Sequence, residues 1–350
     1  MTNGQFTQEE IFTQSVAWQC AIDVIASMTH DLKNIDLGNY RQIIFTGCGS
    51  TYYLSLAAAS IFQKQTGAIC KAVPSGELLM NPGAIYSGNS QLLFAVSRSG
   101  STSETVRAAK QFKKDQGGRV ISICNYEDRP LTEAADLAIC IHEGQEQSIA
   151  QTRAFSSMYL ALVAIAMLVS GREDLFEEMK ELPEIGKSLM DKYDEFARGV
   201  GENLDYDRFY FLGSGSRYGL ACEANLKMKE MTITHTEPFY FLEFRHGPIS
   251  MVNANTAVVG LLSESQRDHE EKVLDDARKL GARIVSIAET DADVSFESEL
   301  SENIRDVLFL PVLQIMAFYR AMRKGLNPDQ PNNLSAVVYL EEEPEGNKRR

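Results

Sequence analysis

IIFTGCGSTYYLSLAAAS at 43–60 and FYFLGSGSRYGLACEANL at 209–226 are two versions of one pattern: an apolar run, a Gly-x-Gly-Ser turn and a run of small residues. Gly47 matches Gly213 at an offset of 213 − 47 = 166. Two more blocks follow in the same order. FAVSRS at 94–99 pairs with GLLSES at 260–265 (263 − 97 = 166), and GRVISIC at 118–124 pairs with ARIVSIA at 282–288 (283 − 119 = 164). Matched blocks in one order at nearly one offset indicate an internal duplication. Within the first copy, apolar runs at 42–46, 91–96, 119–124 and 137–141 alternate with helix-length segments. Continuous apolar runs of this kind are expected of parallel strands covered on both faces. The fold class is therefore α/β: two tandem units, each an open parallel sheet flanked by helices in three layers. The divisions are an N-terminal helix over 1–34, a first unit over 35–170, a helical connector over 171–199 and a second unit with its tail over 200–350. Thr7 and Glu10 have capping-box spacing at the start of the N-terminal helix.

Composition narrows the function. The 350 residues are 44% hydrophobic and carry a formal charge of −14, with acids spread along the chain and no long Lys/Arg cluster. Binding to a polyanionic nucleic-acid backbone is disfavoured. Cys20, Cys48, Cys70, Cys124, Cys140 and Cys222 form no CxxC pair and have no histidine at metal-ligand spacing, so reduced thiols and no metal site are expected. MTNGQFTQEE lacks the basic and apolar regions of a signal peptide, and the longest apolar stretch, 158–169, is too short to span a bilayer. A soluble, cytoplasmic protein is the expectation.

The two copies differ where a ligand would sit. After its strand the first copy reads SRSGSTSET (97–105); the second reads SESQRDHEE (263–271), without the equivalents of Gly100 and Thr102 and with an added Asp268. A loop at a strand's carboxyl end that feeds a helix N-terminus favours anions, because backbone N–H groups there lack partners. Ser97, Ser99 and Thr102 add hydroxyl donors, and Gly100 lets the backbone approach closely. GCGS at 47–50 offers Ser50 and Thr51 from a neighbouring loop. Neither GCGSTY nor GSGSRY has the third glycine of a dinucleotide fingerprint.

A second dense region is EANLKMKEMTITHTEPFYFLEFRHGPISMV (223–252). Glu223, Lys227 and Glu230, spaced by four and three, share one helix face. On an ordinary surface helix this would be a solvated salt-bridge ladder. This helix follows the second Gly-x-Gly-Ser turn, at the ligand edge of its sheet. His246 precedes Gly-Pro, which suggests a loop. A carboxylate and a histidine near an anion loop are the groups needed to move a proton beside a sugar carbonyl and to open the ring.

These motifs together resemble those of sugar isomerase (SIS) domain proteins. SRSGST matches their Ser-x-Ser-Gly-x-Thr phosphate loop, and the tandem pair is their arrangement. LKMKE, FRHGPISMV and GLNPDQPNNL (325–334) resemble the isomerase half of glucosamine-6-phosphate synthase and, more closely, stand-alone enzymes that deaminate or isomerise aminosugar 6-phosphates. The resemblance covers about 40–340. It implies a phosphosugar site with Ser97, Ser99 and Thr102 on the phosphate, helped by Ser50 or Thr51, with Arg98 adding a positive charge near the anion. It also implies Glu230 as the base moving a proton between C1 and C2, His246 as the ring-opening residue supplied across a homodimer interface, Glu146 near the sugar and Lys227 among the substrate-binding residues.

Two departures from that family shape the reading. No glutaminase domain precedes the repeats and Met1-Thr2 offers no cysteine nucleophile, so glutamine-dependent amide transfer is not expected. Where the synthase tail carries an imine-forming lysine, this chain has Ala336. The expected function is a cofactor-free aldose–ketose isomerase for a sugar with an anion at C6, most simply a 6-phosphate, with aminosugar deamination as a close variant. A 6-sulfo-sugar isomerase and a non-catalytic sugar-phosphate sensor are the alternatives.

Overall fold

The structure is a computed structural model, and it describes residues 3–86, 88, 90–337 and 340. The ends assigned to the N-terminal helix and to the second unit's tail, 1–2 and 341–350, lie outside the described residues. Among the described residues, ten strands form two sheets. The first contains β1 (Gln42–Gly47), β2 (Cys70–Pro74), β3 (Gln91–Val96), β4 (Arg119–Cys124) and β5 (Leu137–Cys140) in the order β2-β1-β3-β4-β5. The second contains β6 (Arg208–Leu212), β7 (His235–Phe239), β8 (Thr256–Leu261), β9 (Arg283–Ala288) and β10 (Val294–Ser295) in the order β7-β6-β8-β9-β10. Every pairing is parallel, and the strand order of one sheet repeats that of the other. The four strand runs read in the first copy match β1, β3, β4 and β5 within a residue. The edge strands β2 and β7 had no such signal: their residues are mostly half-buried, and Pro238 is tolerated in β7 because an edge position need not donate.

The duplicated turns are superimposable in conformation. Gly49 has φ 55°, ψ −123° and Gly215 has φ 61°, ψ −131°, a region open to glycine. Each opens a 17-residue helix, Ser50–Thr66 and Ser216–Thr232, and these two helices pack on each other across the two units. A Cβ at Gly219 would lie 2.5 Å from the amide nitrogen of Ala57 and 2.6 Å from the carbonyl oxygen of Tyr53. The absence of that carbon lets the second-copy helix reach the mouth of the first-copy sheet.

Between the units runs the helix Arg153–Val169, buried along almost its whole length. Its apolar stretch is thereby a core element, and no helix among the described residues is long and apolar enough to cross a membrane. It packs against Gln14–Ser27 and Ser50–Thr66. The connector contributes more than a link. Its 21-residue helix, Leu182–Glu202, lies along Leu310–Arg323 of the second unit.

The N-terminal segment departs from its reading as one capped helix. It breaks into Gln5–Phe12, Gln14–Ser27 and Thr29–Lys33, and the residue before the first is Gly4 at φ 76°. Thr7 and Glu10 lie inside that first helix and bond elsewhere. The Thr7 amide and hydroxyl both donate to Asp329 Oδ1 at 2.8 Å, and Glu10 Oε1 accepts from the amides of Gln147 (2.5 Å) and Ser148 (3.1 Å). Long-range partners replace the local cap, tying this helix to both units.

Substituting Gly219→Ala forces the crossing helices apart. It should lower stability by about 1–3 kcal/mol, despite the better helix propensity of alanine, and the midpoint of urea unfolding checks this. An unchanged or raised midpoint would show that the close approach is not required.

Candidate active site

The Gly-x-Gly-Ser turn after β1 and the hydroxyl loop after β3 meet side by side. Strands β1 and β3 are neighbours whose connections leave in opposite directions, the topological switch point where open α/β sheets bind ligands. Over this point lies a cavity of about 210 Å³ whose lining includes Ser50, Arg98, Thr102, Lys227, Glu230 and the tail residue Ala336. Residues from both copies and from the C-terminal segment therefore share one space.

Its charged floor comes from the helix Ser216–Thr232. Lys227 is 1% exposed and Glu223 is 1% exposed. The Lys227 ammonium lies 2.7 Å from Glu230 Oε2 and 3.3 Å from Glu223 Oε1, and it donates to Ser50 Oγ at 3.1 Å. The Ser50 hydroxyl in turn donates to Glu223 Oε1 at 3.1 Å. The spacing of four and three thus builds an interior ion cluster, in place of the exposed ladder considered from sequence. Burial pushes the Glu223 carboxyl up to about 8, partly offset by Lys227. Burial alone would push Lys227 down, but the two carboxyls more than offset it and hold the amine above its ordinary value. The cluster sets one ammonium between two carboxyls, and the second oxygen of Glu223 has no partner. Glu230, with its side chain 20% exposed, is the carboxyl that reaches the cavity.

The remaining predicted residues divide into groups. Ser97 is buried, and its hydroxyl and that of Thr102 lie 3.1 Å apart. Thr102 precedes the helix Ser103–Gln116 without a side-chain cap bond. Ser99 opens onto an adjoining cavity of about 230 Å³, shared with Arg98, Ser101, Tyr126, Arg129 and Glu146. Thr51 turns away: its hydroxyl accepts from the Cys48 amide and donates to the Cys48 carbonyl, both at 2.9 Å, which shapes the turn. Glu146 is likewise occupied. Its Oε1 accepts from Thr152 N (2.6 Å), Thr152 Oγ1 (3.0 Å) and Ala154 N (3.1 Å), capping the helix Arg153–Val169, while Oε2 pairs with Arg98 at 3.3 Å. His246 lies exposed in the turn after Phe241–Phe244 and lines neither cavity.

The second copy shows what became of the equivalent site. The Glu270 carboxylate accepts from the Ser263 amide (2.6 Å) and hydroxyl (3.0 Å), so the loop binds a carboxylate of its own chain. Ser216, the counterpart of Ser50, bonds Asp306, and Arg217 pairs with Glu302 (3.1 Å) and Asp306 (3.3 Å). In the first copy the Ser97 amide goes to the Ile123 carbonyl and its hydroxyl meets Thr102. Among the described residues Glu104, which stands at the place of Glu270 (270 − 104 = 166), makes no hydrogen bond to Ser97; one Glu104 oxygen is buried without a partner.

Sequence reasoning missed Cys48, Ile149 and Gln151, which also line the cavity that Glu230 reaches. The Gln151 amide oxygen is buried without a partner. Nothing in the local pattern of EGQEQSIAQT separates Gln151 from a solvated glutamine; only its placement beside Glu230 does.

The Glu223 proton yields a pH signature. A carboxyl whose folded value is raised from 4.5 to about 8 stabilises the fold fully below its unfolded value, and that contribution is lost as pH rises through about 8. Across this window the native state holds a proton that the unfolded chain has released, so stability falls by up to roughly 1.4 kcal/mol per pH unit. Glu223→Gln should flatten that slope in urea unfolding at pH 5 to 8. An equal slope in both proteins would remove the proton from Glu223.

Comparison with known proteins agrees with this architecture. Residues 36–170 and 204–299 match the SIS domain. The glutamine–fructose-6-phosphate aminotransferase (isomerizing) of Thermococcus kodakarensis is 28% identical, over 96% of this chain and 58% of its own, and that of Sulfurisphaera tokodaii is 29% identical, over 91% and 53%. The chain spans just over half the length of these curated relatives. Among solved structures, glucosamine-6-phosphate deaminase from Thermotoga maritima superposes with a TM-score of 0.83 at 26% identity, covering 96% of this chain and all of that one. Tagatose-6-phosphate ketose/aldose isomerase from Escherichia coli shares the fold, with a TM-score of 0.84 at 24% identity over 95% and 96% of the two chains. Two matched segments on two sheets of one strand order, joined at a shared cavity, place this chain in the SIS-domain family, as a tandem of two such domains.

Proposed function

We propose that the chain is an aldose–ketose isomerase for a sugar carrying an anionic group at C6, a phosphate in the first instance. One observation carries this reading: Glu230, Lys227 and Ser50 line the same small cavity as Thr102 of the anion loop. While Ser99 faces the adjoining cavity, a hexose 6-phosphate seated with its anion at the paired hydroxyls of Ser97 and Thr102 presents its other end to Glu230. There the carboxylate takes the proton from C2 of the aldose and returns it to C1 of the enediol, while Lys227 steadies the charge that moves between carboxylate and sugar oxygen. Names of relatives support the same class, since isomerising transferases, a ketose/aldose isomerase and an aminosugar-phosphate deaminase are all similar to this chain.

Imine chemistry is not part of the proposal. Ala336 lines the cavity without a nucleophile, and Lys227, the ammonium in the lining, is held protonated by two carboxyls, which leaves it no lone pair. Ring opening then falls to an acid–base group. We assign it to His246 of a second copy of this chain, as the resemblance to the isomerase half of the synthase implies; the exposed turn that carries it lies outside the cavity of its own chain. Deamination is the second reading, favoured by the likeness to the Thermotoga maritima enzyme. A 6-sulfonate would meet the same donors. A sensor would have no use for a carboxylate and a buried ammonium aimed at the ligand.

Glu230→Gln keeps the shape and loses the base, so turnover of the correct sugar should fall by about 10²–10⁴ while its binding persists. A panel of hexose, hexosamine and sulfo-sugar substrates, read for ketose and ammonia, identifies the reaction. Near-normal turnover by this variant would return Glu230 to a structural role. For the shared site, mixing inactive Glu230→Gln with inactive His246→Asn chains should restore activity through hybrid dimers holding one intact site. No recovery after confirmed subunit exchange would place the whole site within one chain.

A further inference from the structure

Arg98 occupies the middle of the anion loop, yet its guanidinium leaves that loop. Nη1 donates to the carbonyls of Ser148 (3.1 Å) and Ile149 (3.0 Å) and pairs with Glu146 Oε2 (3.3 Å), while Nη2 donates to the carbonyl of Ala336 (3.3 Å). The residue is 7% exposed. Its partners belong to two other walls of the cavity, the segment bearing Ile149 and Gln151 and the C-terminal segment 334–337. One side chain therefore ties together the anion loop, the segment before the central helix, and the tail.

The chemistry of the fork suits this task. A guanidinium offers five donors in one plane, and here they spread over three carbonyls and a carboxylate; an ammonium has three donors from one point and cannot span them. With Glu146 against it, the charge is balanced locally, so little of it is left for a ligand anion. The tail depends on the link more than the other walls do. Leu334, Ser335 and Ala336 are exposed, and at Leu340 the carbonyl accepts from Arg107 (3.2 Å) and the amide donates to the Ser103 hydroxyl (2.8 Å). Segments with few buried contacts open at low free energy, and a charge-assisted bond decides their position. Arg98, Ala336 and Val337 also line the adjoining cavity of about 230 Å³, so the Arg98–Ala336 link is the partition between the two spaces.

We propose that Arg98 is a positioning residue that clamps the C-terminal segment over the sugar cavity, and that its guanidinium is not a ligand of the anion. With the clamp closed, the partition keeps solvent from the enediol; with the clamp broken, the two cavities join and water reaches Glu230. This last step rests on the isomerase reading above, whereas the clamp does not.

The test uses the full chain as wild type, Arg98→Met and Arg98→Lys. Amide hydrogen exchange of the peptide covering 330–337 should quicken by about tenfold or more in Arg98→Met and by less in Arg98→Lys, with peptides of β1 and β3 unchanged as the check on folding. An unchanged tail overturns the clamp. Titration with inorganic phosphate separates the roles: Thr102→Ala should weaken binding by about tenfold, Arg98→Met by less than about threefold. Equal losses would make the guanidinium an anion ligand and overturn the proposal. If the wild type does not bind phosphate, the anion-loop reading fails, and the exchange result still decides the clamp. With any hexose 6-phosphate that the wild type turns over in D₂O, product formed by Arg98→Met should carry about two- to tenfold more solvent deuterium at C1. Unchanged labelling beside a loosened tail would overturn the solvent-exclusion step.

Discussion

An ammonium buried as deeply as that of Lys227 is tolerated only where carboxyls and hydroxyls surround it, because the desolvation penalty of an unpaired charge runs to several kcal/mol. Here the partners come from both halves of the duplication: Glu223 and Glu230 from its own helix, and Ser50 from the first Gly-x-Gly-Ser turn. The pairing requires the helix Ser216–Thr232 to lie against Ser50–Thr66, which the bare Cα of Gly219 permits. Separating the units would leave Lys227 without Ser50 and Ser50 without Glu223. The site is thus a property of the tandem and of neither unit alone.

Duplication created two anion-type loops, and the chain now uses them differently. The second is filled from within by Glu270, while the places of Ser50 and Thr51 are taken by Ser216 and Arg217, engaged with Asp306 and Glu302. Burial raises the Glu270 carboxyl, and the Ser263 amide and Arg217 draw it back. A loop that needs an internal carboxylate to satisfy its donors is the same physical object as a loop that awaits an external anion. The contrast between the copies gives a reason to assign the ligand to the first.

Around the cavity, carboxyls also act as ties. Glu146 caps the central helix with one oxygen and holds Arg98 with the other. Glu10 enters from the N-terminal helix to hold the amides of Gln147 and Ser148, and burial together with the nearby Glu146 pushes it up to about 7, opposed by those hydrogen bonds. Two acids thus meet at the short segment leading to Ile149 and Gln151. Its geometry depends on elements more than a hundred residues away in sequence.

Much was legible in the chain by itself. Continuous apolar runs identified the interior strands β1, β3 and β4, because strands covered on both faces leave a local signature, and also the edge strand β5; the shared offset exposed the duplication, and the spacing of Glu223, Lys227 and Glu230 placed them on one helix face. The hydroxyl loop and its altered counterpart marked where the two copies differ. What the tertiary structure decided was direction and partnership. Edge strands β2 and β7 carry half-buried residues with no apolar run to betray them. Thr7 and Glu10 had the spacing of a local cap and took distant partners. Thr51 turned to its own loop, Arg98 reached the carbonyls of Ser148, Ile149 and Ala336, and Gln151 entered the cavity from a sequence with no distinguishing pattern. Periodicity and spacing are written in neighbouring residues, so the sequence determined them. A hydrogen-bonding side chain selects among all donors and acceptors within reach, and which ones are within reach is settled only when the two units pack.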